Sequence, residues 1–317
     1  MRTLTAIVRR NVALFFKDKG MLFTSLITPV ILLVLYATFL GNVYRDAFLS
    51  GFEQIGFAVS DEMKHIIDGC VGGQLTSSLL AVSCITVSFC SNLLMVQDKV
   101  TGARADLTIT PVSPSQLALG YYITTAAVTW GICMFATAAG LGYIAAIGWY
   151  LSVADALWLV ADVTLLVLFG TAMSSIVCYF LSSQGQISAV GSIVSSCYGF
   201  LCGVYMPISS FGEGLREVLS YLPFTYATSL LRNHAMRGSF SALEDYFASF
   251  DYPAPAKDAL LGAVDGMRSS TDCTVYFKGE AVSEGAMLAY LAGATVLLMA
   301  VYLLINLISQ KRARRRA

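Results

Sequence analysis

Six long apolar segments make up most of this chain, and few charged residues interrupt them. Their approximate bounds are Met21–Val43, Leu75–Val96, Leu117–Ile147, Ala156–Leu181, Ile187–Tyr205 and Ala286–Ile308. An α-helix crosses the ~30 Å hydrocarbon core of a bilayer with roughly 20 residues, which is about the length of each segment. The sequence therefore predicts an all-α polytopic membrane protein with six transmembrane helices.

The composition indicates a protein that is surrounded mainly by lipid. Of the residues, 56% are hydrophobic and 13% are charged, whereas an ordinary soluble domain has ~25% charged residues. We therefore expect the lipid bilayer as a partner and no nucleic acid. The eight cysteines have no metal-binding spacing, so we expect no metal site. Cys70 and Cys273 lie outside the apolar segments on the same predicted side of the membrane, which leaves a disulfide between them open.

Basic residues are concentrated at the two ends of the chain. Their positions are Arg2, Arg9, Arg10, Lys17, Lys19, Lys311, Arg312, Arg314, Arg315 and Arg316. Because Lys and Arg near spans favour the cytoplasmic side, we predict a multi-pass protein of the bacterial inner membrane with both termini cytoplasmic. The predicted organisation is a cytoplasmic helix at 1–20, a transmembrane region at 21–309 and a basic tail at 310–317, with 206–285 extracytoplasmic.

The N-terminal segment has the periodicity of an amphipathic helix. Its apolar residues fill one sector at 100° per residue, whereas Arg9 and Arg10 lie in the opposite sector. Such a helix lies in the membrane interface. It serves either as an anchor that sets topology or as a lever that contacts a cytoplasmic partner.

The connection after the second apolar segment contains a compact motif. Its residues are Gly102, Leu107, Thr110, Pro111, Val112 and Ser113, and Gly120 follows near the start of the third segment. Proline fixes φ, and Thr110 and Ser113 are residue types that cap helices. The motif predicts either a rigid turn that transmits force or an ordinary loop with a helix cap.

A second motif follows the fifth apolar segment. It consists of Gly203, Pro207, Leu222, Pro223, Tyr226 and Arg232. Between Met206 and Arg237, apolar residues recur at helical spacing beside charged ones, and Pro223 interrupts the run. This pattern predicts two short helices that dip back into the outer leaflet, or alternatively a plain amphipathic surface loop.

Together these motifs resemble the type-two ABC exporter permease family, and the resemblance extends over nearly the whole chain. It implies that Arg9, Arg10 and the Gly102–Ser113 motif contact a separate ABC ATPase subunit, and that two permease copies assemble with two ATPases. It also implies a re-entrant outer hairpin in which Pro207, Leu222, Pro223 and Tyr226 form an outer gate. The chain departs from the family pattern at two positions. The family often has an acidic, E-x-G-T-like entry to the inner loop, whereas here Ala103 follows Gly102, and it often has a lysine where Tyr121 follows Gly120.

The fifth apolar segment carries small residues on one helical face. These are Ser188, Ser192, Ser195, Gly199 and Gly203. Small residues let helices approach closely in lipid. The face therefore predicts a seam between two permease copies or a translocation path, and ordinary packing within one chain is the alternative.

Charged residues are nearly absent from the apolar segments, and Asp162 is the exception. An acid within a membrane span is a functional candidate, although a snorkelling or locally paired residue near the interface is the simpler interpretation. His65 and His234 are predicted to lie outside the membrane, and we assign them no chemistry.

These observations indicate a membrane-spanning permease subunit that works with a separate ATPase to export a hydrophobic or amphipathic substrate, such as a drug, a lipid or a lipid-linked molecule. The sequence contains no G-x-x-x-x-G-K-[ST] phosphate loop. We therefore expect a chain that is not itself an enzyme, with ATP and Mg²⁺ bound by the partner. The alternative is an ion-coupled secondary transporter, for which Asp162 is the only acid within the spans.

Overall fold

A computed structural model describes residues 2–54, 56–57, 59–110, 112–250 and 253–314. The helices are α1 (Arg2–Lys17), α2 (Lys19–Leu35), α3 (Gly41–Gln54), α4 (Asp61–Val100), α5 (Ala103–Ile109), α6 (Pro114–Ile147), α7 (Val153–Phe180), α8 (Gln184–Leu201), α9 (Glu213–Ser220), α10 (Pro223–Ala248), α11 (Ala254–Ser270) and α12 (Glu284–Arg314). A π-helical turn, Tyr36–Leu40, joins α2 to α3, and Ile208–Ser210 forms a 3₁₀ turn. The strands β1 (Tyr276–Phe277) and β2 (Glu280–Ala281) pair antiparallel.

Five helical stretches in the described part of the chain are long and apolar enough to cross a membrane. They are Lys19–Gln54, Asp61–Val100, Pro114–Ile147, Val153–Phe180 and Glu284–Ile308. The all-α membrane architecture is thus confirmed. The fifth predicted span corresponds to α8, which has 18 residues and includes two glutamines and four serines. A sixth span therefore stays a prediction.

The central element is α4, which is buried along most of its length by α6, α7 and α10. Glycines on α4 permit these close approaches. A Cβ atom at Gly73 would lie 2.5 Å from the backbone carbonyl oxygen of Ala235 on α10. Because real Cβ atoms do not approach backbone so closely, Gly73 allows α10 to pack directly on the backbone of α4.

The long helix α10 differs from what the sequence predicts. The short α9 agrees with the first of the two expected helices, but the second expected short helix is a helix of 26 residues. Pro223 occupies its first turn, where a missing N–H is tolerated. Apolar residues at helical spacing, including Phe224, Ala227, Leu231 and Ala235, are buried against the bundle and extend the helix far beyond the predicted turn.

Capping boxes define where three helices begin. Ser113 and Gln116 cap α6, with Pro114 in its first turn. The same arrangement at the starts of α7 and α8 uses Ser152 with Asp155 and Ser183 with Gln186. Each serine accepts a hydrogen bond from an unpaired backbone N–H, and the partner side chain reciprocates.

The bundle has two ends, which we name by the residues they carry. At the proximal end, α1 and α5 lie beside the last turn of α4, and Lys99 reaches the last turn of α7. At the distal end, Ser60 contacts Tyr246 at the end of α10, and α12 begins. Cys70 and Cys273 are buried free thiols, so the structure contains no disulfide between them.

Candidate functional site

The N-terminal helix α1 is docked on the proximal end of the bundle. Ile7 and Phe15 are buried, whereas Leu14 and Phe16 are exposed. A Cβ atom at Gly120 would lie 2.6 Å from Cγ2 of Ile7, so the glycine at this position of α6 makes room for α1. The apolar face of α1 therefore packs partly on protein.

An ion pair fixes α1 to the end of α4. The Arg10 guanidinium donates from Nη1 to Oδ2 of Asp98 at 2.8 Å and from Nη2 to Oδ1 at 3.2 Å. The Tyr121 hydroxyl on α6 donates to Oδ2 of the same carboxylate at 2.5 Å. These hydrogen bonds raise the pKa of Arg10 further above its usual range. One buried carboxylate thus joins α1, α4 and α6.

The next residue, Lys99, joins α4 to α7. Its ammonium group donates to the backbone carbonyls of Cys178, Tyr179 and Leu181 at 2.6 to 2.9 Å. The last carbonyls of a helix have no partner within the helix and carry negative partial charge. A lysine is therefore well suited to this position.

The connection between α4 and α6 forms a short helix and an exposed turn. Gly102 precedes α5 with φ of 84°, a left-handed conformation that favours glycine. Leu107 and Val112 pack against buried residues of the bundle, and the hydroxyls of Thr110 and Ser113 form the expected caps. Ile109 is 84% exposed. The predicted contact residue Pro111 lies outside the described residues.

A cavity of about 680 Å³ opens between α2, α4 and α8. Ser188, Ser192 and Ser195, three of the residues predicted from the small face of α8, line it. Thr24 of α2 and Gln97 of α4 contribute further polar groups, and periodicity within single segments did not connect these two residues with α8. The wall of the cavity therefore combines hydroxyl and amide groups with apolar surface.

The two glycines of the predicted small face have partners within the chain. A Cβ atom at Gly199 would overlap the ring of Tyr205. Gly203 has φ of 75°, and its carbonyl accepts a hydrogen bond from Nη2 of Arg232 at 2.6 Å. For Gly199 and Gly203, packing within the chain explains the small residue, which was the alternative to a seam.

Three of the four residues predicted as an outer gate lie around the start of α10. Leu222 and Pro223 form the turn between α9 and α10. The Tyr226 hydroxyl donates to the carbonyl of Ser220 at 2.6 Å, and its ring packs on Tyr290 of α12. Pro207 precedes the 3₁₀ turn. The structure thus brings Leu222, Pro223 and Tyr226 together at one turn, and Pro207 belongs to a separate turn.

Residues 2–235 match the ABC-2 type transporter family in a comparison with protein families. This match covers more than half of the chain. The chain belongs to that family. ABC-2 proteins of this kind are the membrane components of ABC transporters and normally work with an ATPase subunit. A search of curated proteins found no match.

The long segment beyond the family match supplies a structural residue to this permease that sequence reasoning did not identify. Asp272 accepts hydrogen bonds from the backbone N–H groups of Ile208 and Ser209 and from Nη1 of Arg232. The carboxylate therefore connects the segment after α11 to the 3₁₀ turn and to α10.

His234, for which the sequence suggested no chemistry, is buried in the long helix α10. It is 2% exposed within α10, and its Nδ1 lies 2.5 Å from Oδ2 of Asp162 on α7. Trp158 stacks on the imidazole. The interpretation of Asp162 as a locally paired residue agrees with this geometry. The described residues contain no group of three or more His, Cys, Asp or Glu that could hold a metal ion.

Proposed function

We propose that this permease is the membrane-spanning subunit of an ATP-driven exporter, with ATP and Mg²⁺ bound by a separate ABC ATPase. The observation that carries the proposal is the shared attachment of α1, α4 and α6 at Asp98. A force applied to α1 is transmitted through a carboxylate that is only 6% exposed, rather than through a flexible surface contact.

The proposed contact surface for the ATPase is at the proximal end. Arg9 is exposed on α1, Ile109 is exposed on α5, and the turn at Thr110 and Ser113 is exposed beside them. Arg10 has a different role in this proposal, because Asp98 already engages it. Arg9 and the turn contact the partner, whereas Arg10 transmits the resulting movement to α4.

Lys99 extends the same path to α7. Its three bonds to the end of α7 mean that a shift of the end of α4 also displaces α7. The proximal end then faces the cytoplasm of a bacterial cell, and the distal end faces outward. This assignment is supported by the basic residues at both ends of the chain.

The proposed substrate is hydrophobic or amphipathic, and its path includes the cavity between α2, α4 and α8. The cavity volume of about 680 Å³ is within the ~300–1,000 Å³ typical of small-molecule sites. Its wall contains both hydroxyl groups and apolar residues such as Leu93 and Ile187. A molecule with one polar and one apolar part matches this lining.

A second permease copy is proposed to cover this cavity. The neighbouring face of α2 exposes Phe23, Val30, Ile31 and Val34, and the serines of α8 allow close helix approach. Because a Gly199→Leu substitution would collide with Tyr205 in the same chain, it cannot distinguish a seam from internal packing. Cysteines at Ser192 and Ser195 are the better probes.

The ATPase assignment is tested by purifying the permease from native membranes and identifying a bound ABC ATPase. Ile109→Asp should reduce ATPase recovery and ATP-dependent transport, because Ile109 is exposed and its replacement leaves the fold intact. Val153→Asp is the control, because Val153 is 79% exposed at the start of α7, at the opposite end of that helix from the carbonyls that Lys99 contacts. Transport that continues without any ATPase or ATP would refute the proposal.

A crosslinking experiment tests the seam separately. In a Cys197→Ser background, Ser192→Cys and Ser195→Cys should form disulfide-linked dimers in native membranes. Leu157→Cys is the control. Leu157 is 65% exposed near the start of α7 and does not line the cavity. Equal dimer yields at all three positions would contradict the seam.

A further inference from the structure

A second cavity, near the start of α10, is lined mainly by polar side chains. Its volume is about 290 Å³, and it lies between α9, the 3₁₀ turn and the segment that follows α11. Hydroxyl-bearing residues in its wall are Ser209, Ser220, Thr225, Ser269, Thr274 and Tyr276. Ser220 and Thr225 already donate their hydroxyl protons to the backbone carbonyls of Glu217 and Leu219. The hydroxyl donors that remain for an anion are those of Ser209, Ser269, Thr274 and Tyr276.

The wall contains two charged residues, and one of them is already neutralised. Asp272 is paired with Arg232, which is 1% exposed, and accepts two backbone N–H groups as well. Arg216 is the other charged residue. Its guanidinium has no hydrogen-bond or ion-pair partner in the part of the chain that the structure describes. The wall of the cavity therefore presents the cation of Arg216, which no described carboxylate engages, and Glu213 lies one helical turn away on α9.

Helix α9 places this charge beside apolar surface. Arg216 and Ser220 are four residues apart and both line the cavity, so they share one face of the helix. Leu215 and Val218 are exposed on another face. An interfacial helix with this pattern contacts the hydrocarbon of a leaflet while its polar face meets headgroups.

An apolar cavity lies on the other side of the 3₁₀ turn. It has a volume of about 460 Å³, shares Ser209 with the polar cavity, and is bounded by Phe48, Phe52 and Met267. A polar and an apolar cavity thus adjoin the same turn. This arrangement provides space for a charged group and for hydrocarbon within one region.

We propose that the polar cavity binds a phosphate group through Arg216 and the surrounding hydroxyls. The planar guanidinium presents paired donors that match phosphate oxygens, and the hydroxyls of Ser269 and Thr274 lie in the same wall. A volume of about 290 Å³ is at the lower limit of small-molecule sites, which suits a headgroup-sized ligand. The phosphate is supplied either by an anionic lipid or by free phosphate.

Two binding measurements on the full-length permease in dodecyl maltoside, a detergent without phosphate, distinguish these sources. Calorimetry measures binding of inorganic phosphate, and mass spectrometry measures retention of added phosphatidylglycerol. Binding of either probe should weaken at least tenfold in Arg216→Gln and be partly restored in Arg216→Lys. Lys257→Gln, which removes a cation from α11 outside the cavity wall, should bind as the wild type does.

A further variant separates a lipid from a free anion. Gly266 lines the apolar cavity, and a Cβ atom there would meet no atom within 4 Å. Gly266→Leu should fill this cavity, reducing phosphatidylglycerol retention while leaving inorganic phosphate binding unchanged. If only inorganic phosphate binds, the ligand is a free anion.

The proposal is overturned if neither probe binds, or if Arg216→Gln and Lys257→Gln weaken binding equally. Thermal unfolding of each variant provides the folding control. Because Arg216 is exposed and unpaired, we expect its substitution to leave the midpoint unchanged. These measurements need no ATPase, so they remain informative whether or not the transport proposal holds.

Discussion

Arg232 and Asp272 form an ion pair inside the protein, with 3.1 Å between Nη1 and Oδ2, although 40 residues separate them in the chain. Asp272 is 6% exposed and adopts φ of 50°, an unusual conformation for a residue with a side chain. The packed surroundings hold it there. The pair therefore connects α10 to a segment that lies beyond the ABC-2 family match.

Arg232→Gln is expected to destabilise the permease by ~3–5 kcal/mol, because it leaves the buried Asp272 carboxylate without its cation. Arg45→Gln is the control, since the pair between Arg45 and Asp68 is more exposed and such pairs contribute only ~0–1 kcal/mol. Thermal unfolding in detergent measures both. Similar midpoints for the two variants would show that the buried pair contributes no more to stability than the exposed pair.

Asp98→Asn should uncouple α1 from the bundle. The substitution removes the charge that holds Arg10 and weakens the acceptor for Tyr121, while an amide of the same size preserves packing. We expect ATP-dependent transport and ATPase stimulation to decline together, with the thermal midpoint little changed. Tyr121→Phe removes one hydrogen bond and should have a milder effect.

The exchanged pair Arg10→Asp with Asp98→Arg provides the decisive control for this ion pair. If the interaction between the two charges matters, the exchanged pair should recover part of the activity that either single substitution loses. Arg9→Gln should instead reduce ATPase recovery without changing how α1 packs. Activity in Asp98→Asn equal to wild type would contradict the proposed path.

Much of the architecture could be predicted from the sequence because the dominant constraint is local. Each long apolar segment has to satisfy its own backbone in lipid, and a helix does so without partners elsewhere in the chain. The caps at Thr110 and Ser113 are also local, since each bonds within three residues. These features need no knowledge of the tertiary fold.

The features that were missed depend on long-range contacts. The sequence gives no sign of a partner for His234, because polar residues surround it in the chain, whereas α10 carries it to Asp162, 72 residues away. From the sequence, Arg10 lies on the polar face of α1 with no evident partner, whereas in the structure it pairs with Asp98 of α4. In both cases a charged or titratable side chain on an amphipathic helix meets a partner that periodicity does not reveal. The neighbouring apolar stripe on α10 was the available signal.

Gly102→Ala should be unfavourable, because φ at Gly102 is 84° and a Cβ atom in this region costs about 1 kcal/mol. A Cβ atom there would meet nothing within 4 Å, so backbone strain alone produces the effect. Hydrogen exchange across α5 should accelerate. Gly131→Ala, in a helical and open position of α6, should be neutral or stabilising. A larger loss of stability in Gly131→Ala than in Gly102→Ala would contradict this prediction.

The two histidines of the chain offer a matched comparison. His234→Leu should destabilise the permease by about 2 kcal/mol or more, because Asp162, which is 1% exposed, loses its hydrogen-bond partner in a medium that solvates charge poorly. His65→Leu replaces an exposed imidazole and should change the thermal midpoint little. His234→Gln should recover part of the loss if the side-chain amide reaches Asp162.

Once expression is corrected for folded protein, ATP-dependent transport by His234→Leu should match wild type, since the pair joins α7 to α10 and is not required for coupling in the proposed mechanism. Normal stability combined with lost transport would instead favour an ion-coupled role for this pair.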